Sequence, residues 1–401
     1  MTRRACTRLA PGGSAIPVAA FVRALTDANA SATLDQALRT RFAGCSPTYH
    51  ASGREAMRVA LACLAERSGR REVAIPAYAC FSIPASVVAA GLQVRLVDVD
   101  ERGWLSSAAL ERVPFERVAA VVVGNLFGVP EPVAALAARA RAAGAAVVDD
   151  AAQALGATAV DGIAGLRGDV GILSFGRGKP LSALGGGAAI WSAAPSAGTA
   201  DRSTASAPGK ALAPSVPGAR SRLTACLHGL AYDVSRRPAV LGVLARIPAL
   251  EIGRTIYDTE FERGPMPQSA VALAAALAPE LDRLNAARRT IAHALATRLR
   301  EATHYAPLLE QPGECGVFPR LGVLAPSRER RDRALAALAP LGATAMYPTP
   351  LDEIRALAPH RIDAGACPGA KSFCDRLLTL PTHEDLGPAR IEAVVGILAR
   401  C

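Results

Sequence analysis

The strongest constraint on the fold is an alternation of short apolar runs with alanine-rich stretches of helical character. The apolar runs cover residues 73–75, 94–97, 119–123, 145–148, 170–175 and 188–191. Helical patterns fill intervals between them, at 52–66, 83–90 and 130–143. Strands without polar alternation must be buried on both faces, and helical connections between successive strands make parallel pairs. Gly91 and Gly144 fall where those helices need a left-handed C-terminal residue. The expected class is therefore α/β, with a mostly parallel sheet covered by helices on both sides.

A chain of 401 residues exceeds the usual size of one hydrophobic core, so a second domain is expected. The stretch 192–220 is rich in Ser, Ala, Pro and Gly without periodicity and reads as a flexible surface insertion. A helical stretch follows over 222–247. A longer helical pattern over 268–299, interrupted at Pro279, is long enough to bridge two domains. Beyond it the pattern is a smaller α/β unit. It has a strand at 318–324, a helix at 327–339 stopped by Pro340, a strand at 377–380 and a last helix at 388–399. The expected division is a large domain, 1–285, and a small C-terminal domain, 286–401.

Composition excludes several classes. The net charge of +10 suits an anionic partner such as a phosphorylated cofactor, and equally reflects arginine enrichment. The basic residues are scattered and not interleaved with aromatics, which argues against nucleic acid. Nine cysteines without a C-x-x-C pair argue against a disulfide framework or zinc site and for a reducing, cytoplasmic setting. No run approaches the ~20 apolar residues of a membrane span. The apolar stretch 238–252 is broken by Arg246 and Pro248, and the N-terminal arginines with Pro17 make a poor signal peptide.

The chemistry gathers at strand ends. Lys179 lies in Ser174-Phe175-Gly176-Arg177-Gly178-Lys179, just past an apolar run and before the triplet Gly185-Gly186-Gly187. Twenty-nine positions upstream of Lys179, Asp150 closes another run. Ligands of open α/β sheets bind outside the carboxyl ends of the strands. Alone, Lys179 would be a solvated loop cation, and Asp149-Asp150 a strand-end cap. Together they suit pyridoxal 5'-phosphate: the amine holds the cofactor as an imine and moves protons, while the carboxylate keeps the pyridine nitrogen protonated. Ser52-Gly53 opens a helix whose N-terminus favours phosphate, and Ser174 offers a further hydroxyl. Ser52 and Glu55 also match a capping box, which is compatible. Gly178-Lys179 is no P-loop, because Leu173 stands where glycine is required and Pro180 follows the lysine.

These segments resemble the DegT/DnrJ/EryC1/StrS family of sugar aminotransferases, of the pyridoxal phosphate fold type I. The resemblance runs in order through most of the chain. It includes His50-Ala51-Ser52-Gly53-Arg54-Glu55-Ala56, Ile75-Pro76-Ala77-Tyr78-Ala79-Cys80 and Val97-Asp98-Val99-Asp100. It continues through Gly124-Asn125-Leu126-Phe127-Gly128, Asp149-Asp150-Ala151-Ala152-Gln153 and Ser174-Phe175 up to Lys179. It ends with Tyr347-Pro348-Thr349-Pro350-Leu351 and Leu380-Pro381-Thr382-His383.

The resemblance implies roles. Lys179 would be the cofactor-bearing lysine and Asp150 the pyridinium partner. Gln153 would lie near the ring face or its 3-hydroxyl, and Ser52, Gly53 and Ser174 would bind phosphate. Cys80 stands where the family has an aromatic ring-stacker, leaving Tyr78 or Phe81 as substitutes. Residues 260–266 replace the family's N-x-R-M segment without an asparagine. The implied activity is amino transfer from glutamate or glutamine to a keto sugar, nucleotide-linked, in polysaccharide or glycoconjugate biosynthesis, by a homodimer. Two alternatives are a pyridoxal phosphate-dependent sugar dehydratase and a non-catalytic regulatory relative. Dehydratase relatives replace the lysine by histidine, so Lys179 favours amino transfer.

Overall fold

The computed structural model describes residues 7–192, 213–247, 256–363 and 365–401. The expected insertion at 192–220 therefore lies largely outside the described residues.

Nine strands precede residue 200: β1 (Cys45–His50), β2 (Glu72–Pro76), β3 (Gln93–Val97), β4 (Val118–Gly124), β5 (Ala146–Asp150), β6 (Thr158–Ala159), β7 (Gly162–Ile163), β8 (Val170–Ser174) and β9 (Gly187–Ser192). Seven of them form the main sheet, in the order β1-β9-β8-β5-β4-β2-β3. From β3 to β8 every pair is parallel. β9 departs from the expected parallel arrangement: it runs antiparallel to both β8 and β1. The loop from β8 to β9 forms no helix, and the chain turns straight back.

The all-apolar strands are buried on both sides, as their pattern requires. Ala120 and Val122 of β4 pack in one core cluster with Ala56, Ala60 and Leu64 of the helix Gly53–Ser68. Val121 and Val123 pack in another with Val133, Leu136 and Ala140, beside and along the helix Ala134–Ala142. Gly91 and Gly144 take φ of 72° and 74° just after their helices, a conformation that costs glycine little.

Other elements differ from the sequence pattern. Two helices, Val18–Thr26 and Ala30–Arg41, occupy an N-terminal stretch with no clear helical signal. The stretch expected to be helical over 222–247 is two helices, Ala219–Arg236 and Pro238–Leu244, because Pro238 can start a helix but not continue one. Pro279 likewise sits in a 3₁₀ turn, Ala278–Glu280, between the helices Gln268–Leu277 and Leu281–Ala302.

After the long helix comes a second sheet, antiparallel, of β10 (Ala306–Pro307), β11 (Leu321–Leu324) and β12 (Leu377–Leu380). The strand expected over 318–324 begins only at Leu321, since Phe318 takes a φ of 43° and Pro319 has no amide to pair. The helices Arg328–Leu338 and Pro388–Arg400 complete this unit.

The topology puts one edge of the main sheet to use. The C-terminal ends of β1, β4, β5 and β8 and the start of β9 share it. Gly187 pairs with Ser174 on one side and with His50 on the other.

Candidate active site

At that edge the helix Gly53–Ser68 starts directly after β1, with Ser52 as its N-cap. The Glu55 amide donates to Ser52 Oγ at 3.2 Å. The capping box is only half formed: the Glu55 carboxylate turns away to Arg58, at 2.6 and 2.8 Å, and accepts from the Gly264 amide at 3.4 Å. Ser52 Oγ only accepts there, and its hydroxyl donates to no acceptor among the described residues. A Cβ on Gly53 would stand 2.8 Å from Ser174 Cβ, so Ser52, Gly53 and Ser174 are brought together from distant parts of the chain. Gly187 is needed for the same approach, because a Cβ there would lie 2.4 Å from the Gly53 nitrogen. The result is a small cradle of hydroxyls at the positive end of a 16-residue helix, suited to a phosphate.

The adjacent aspartates have different surroundings. Asp149 is fully buried and every oxygen is engaged. Oδ1 accepts from Asn125 Nδ2 at 2.8 Å and Arg167 Nη2 at 2.9 Å; Oδ2 accepts from Arg167 Nε at 3.0 Å and the Gly165 amide at 2.7 Å. Asp150 accepts one bond, from the Ala152 amide to Oδ1 at 2.9 Å, and its second oxygen has no partner among the described residues. Burial pushes the Asp150 carboxyl up to about 6, against the opposing pull of the Ala152 amide and of Lys179. Asp149 thus holds the strand end, and Asp150 keeps an acceptor for a ligand.

Lys179 follows Gly178, whose φ is 72°, in a tight turn closed by the Lys179 amide donating to the Gly176 carbonyl. Its ammonium makes no hydrogen bond or ion pair among the described residues. The chain has only three lysines, Lys179, Lys210 and Lys371, among 45 basic residues. Lys371 is tied to Glu353 and Asp375 on the surface, and Lys210 lies outside the described residues. In a chain that uses arginine almost everywhere, Lys179 keeps in this loop a deprotonatable amine, which arginine could not supply. The loop is anchored by Arg288, nearly fully buried on the helix Leu281–Ala302, whose Nη2 donates to the Pro180 carbonyl at 2.9 Å.

Gln153 is buried between two partners: its Oε1 accepts from the Phe127 amide at 3.1 Å, and its Nε2 donates to the Tyr347 hydroxyl at 3.1 Å. Phe127 holds φ at 60°, a strain of about 1–2 kcal/mol that the Gln153 bond helps to maintain. Tyr78 and Phe81 both border Tyr347, with ring centroids 6.0 and 5.9 Å away. Tyr78 also meets the edge of Phe373 at 4.8 Å, so it is bound into the core. Ser82 Oγ donates to Cys80 Sγ at 2.8 Å. The Glu260–Met266 segment reaches the same helix start, its Gly264 carbonyl accepting from the Ala51 amide at 2.8 Å.

Arg167 and Arg320 escaped the sequence reading, and Asn125 stood in it only as part of a resemblance segment, without a role. Arg167 and Asn125 build the Asp149 network, and no local pattern marks Arg167. Arg320 is half-buried beside Tyr347 and Tyr232, forms no ion pair among the described residues, and donates only to Thr344 Oγ1 at 2.8 Å. Burial lowers its basicity, opposed by the two tyrosines.

The cradle, the unclaimed Asp150 oxygen and the free lysine match the phosphate, pyridine nitrogen and aldehyde of pyridoxal phosphate. Such a constellation on a helix-covered, mostly parallel sheet defines a fold type I pyridoxal phosphate protein. The family model described as the DegT/DnrJ/EryC1/StrS aminotransferase family matches residues 34–223 and 265–399, and the chain belongs to that family, whose cofactor is pyridoxal phosphate.

Among curated relatives, a UDP-N-acetyl-3-dehydro-alpha-D-glucosamine 3-aminotransferase of Acidithiobacillus ferrooxidans is 32% identical over 160 residues. That match covers 39% of this chain and 43% of the relative, so the chain matches less than half of that protein. Helicobacter pylori PseC, an aminotransferase of pseudoaminic acid biosynthesis, has a similar structure, with a TM-score of 0.73 at 15% identity over 98% of both chains. Spr1654 of Streptococcus pneumoniae, solved in a pyridoxal phosphate form, gives 0.72 at 17% identity, again over 98% of both.

Proposed function

We propose that this chain carries an amino group from an amino-acid donor, glutamate or glutamine, to a keto sugar carried on a nucleotide. The observation that carries the reading is the division of labour at the sheet edge: Asp149 is saturated, while one Asp150 oxygen and the Lys179 ammonium have no partner among the described residues. Bound pyridoxal phosphate supplies an electron sink for the carbon–nitrogen chemistry. The chain's own residues do the rest. Ser52, Gly53 and Ser174 hold the phosphate at the helix start. Asp150, as carboxylate, would accept the pyridine N–H on its second oxygen and favour the protonated nitrogen. Gln153, fixed by Phe127 and Tyr347, would border the ring, with Tyr78 and Phe81 as the neighbouring aromatics. Lys179 would hold the cofactor, and its amine would be the group able to move a proton at the substrate carbon. Arg320, which has no carboxylate partner among the described residues, receives an anionic group of the substrates.

The matched stretch of the Acidithiobacillus relative supports a keto-sugar acceptor, and the net charge of +10 suits a diphosphate carrier. We further propose a homodimer, and the division into domains at 1–285 and 286–401. The test is single-turnover spectroscopy. Glutamate or glutamine should bleach the visible band of the lysine-bound cofactor, and a UDP-linked keto sugar should restore it. A band that no amino donor bleaches would rule the reading out.

A further inference from the structure

We propose that this protein docks peripherally on anionic lipid bilayers through the outer face of the helix pair Val18–Thr26 and Ala219–Arg236. The two helices pack side by side over Gln268–Leu277, which is almost wholly buried. Their contact is close: a Cβ on Gly229 would stand 2.6 Å from the Phe21 ring, and Cys226 Sγ donates to the Phe21 carbonyl. Ala225, Cys226 and Gly229 face inward. The opposite face carries Leu223, Leu227, Leu230 and Val234, at spacings of four, three and four, each 45–56% exposed. Val18 and Val22 of the neighbouring helix are 78% and 57% exposed. A folded protein rarely leaves so continuous an aliphatic surface in water unless something covers it.

Charge indicates what covers it. The stripe ends in exposed Arg220 and Arg237. Over 213–247 the only acid is Asp233, and its carboxylate accepts from the Ile16 amide. The helix Val18–Thr26 has no acid. An aliphatic face framed by arginines matches the boundary between anionic headgroups and acyl chains. A second copy fits less well, because in either orientation the arginines at the stripe ends would meet arginines. The surface also lies almost wholly outside the family match, which omits residues before 34 and residues 224–264.

The test is co-sedimentation of the cofactor-loaded full chain with vesicles of phosphatidylcholine alone or mixed with phosphatidylglycerol. The wild type should pellet with the anionic vesicles, less so at high salt. The L227E/L230E variant should bind them about tenfold or more weakly. Its cofactor absorbance and its mass by light scattering should stay those of the wild type. R220E/R237E should lose the preference for anionic lipid. Absence of pelleting, or pelleting that L227E/L230E leaves unchanged, would overturn the proposal. A fall in mass for L227E/L230E would overturn it too, by making the face a contact between two copies.

Discussion

At the scale of single residues, neighbours in sequence do opposite work. Asp149 and Asp150 are adjacent in a strand, so their side chains point to opposite sides of the sheet edge. One meets Arg167 and Asn125 and becomes structural; the other keeps an open oxygen. Asp150→Asn should keep the fold but lower the rate of the donor half-reaction by about 10²–10³-fold, as removal of a preorganised charge does. Stopped-flow bleaching would measure it. Because the carboxyl is raised to about 6, cofactor affinity of the apo-protein should fall as pH drops through 6, and D150N should lack that dependence. Gly53 is constrained by space. Gly53→Ala would put a methyl 2.8 Å from Ser174 Cβ, so cofactor affinity should weaken by about 1–3 kcal/mol in equilibrium titrations.

At the scale of elements, the ends of β4 and β5 are joined by a buried polar lattice. Arg167 donates to Asp149, to Asn125 Oδ1 and to the Glu131 carbonyl, and it pairs with Asp161 at 3.3 Å. Arg167→Ala would leave Asp149 buried and unpaired, and should cost about 3–5 kcal/mol in urea unfolding. Glu131 lies in the same lattice. Its Oε1 accepts from the Leu105 amide at 2.7 Å, and burial pushes its carboxyl up from 4.5 to about 8. The folded state therefore holds a proton that the unfolded chain releases above 4.5. Glu131 stabilises fully below that value, and its contribution is lost as pH rises through about 8. Glu131→Gln should flatten the decline of Tm across that window. A decline equally steep in the variant would contradict the assignment.

At the scale of the molecule, the sheet was legible where burial on both faces left no choice of residue. β4 is a continuous apolar run, β2 and β8 are apolar but for Glu72 and Ser174 at their ends, and both glycine C-caps follow from φ alone. β1, Cys-Ser-Pro-Thr-Tyr-His, escaped because proline and polar residues interrupt it; it forms by pairing with β9, more than 130 residues away. The helices before residue 42 escaped because the arginines and Pro17 resembled a poor leader rather than a start signal. Asp150 and Ser52 were legible because one ends a strand and the other caps a helix, and Lys179 because it stands in a glycine-rich turn just past β8. Arg167 and Arg320 were not, since their meaning lies in long-range contacts: Arg167 reaches Asn125 across 42 positions. Arg320→Gln tests the assembled cleft. If Arg320 receives the donor's carboxylate, the apparent KM for glutamate should rise about tenfold or more, as loss of a charged hydrogen bond of roughly 1.5–3 kcal/mol requires. The reaction with the keto sugar should change little.

The central claim is that Lys179 bears the cofactor. Borohydride reduction of the purified protein followed by peptide mass mapping tests it directly. The expected result is a pyridoxyl adduct on the peptide containing Lys179, with Lys210 and Lys371 unmodified. An adduct confined to either of those lysines, or none on Lys179 in a protein that retains the visible cofactor band, would contradict the account.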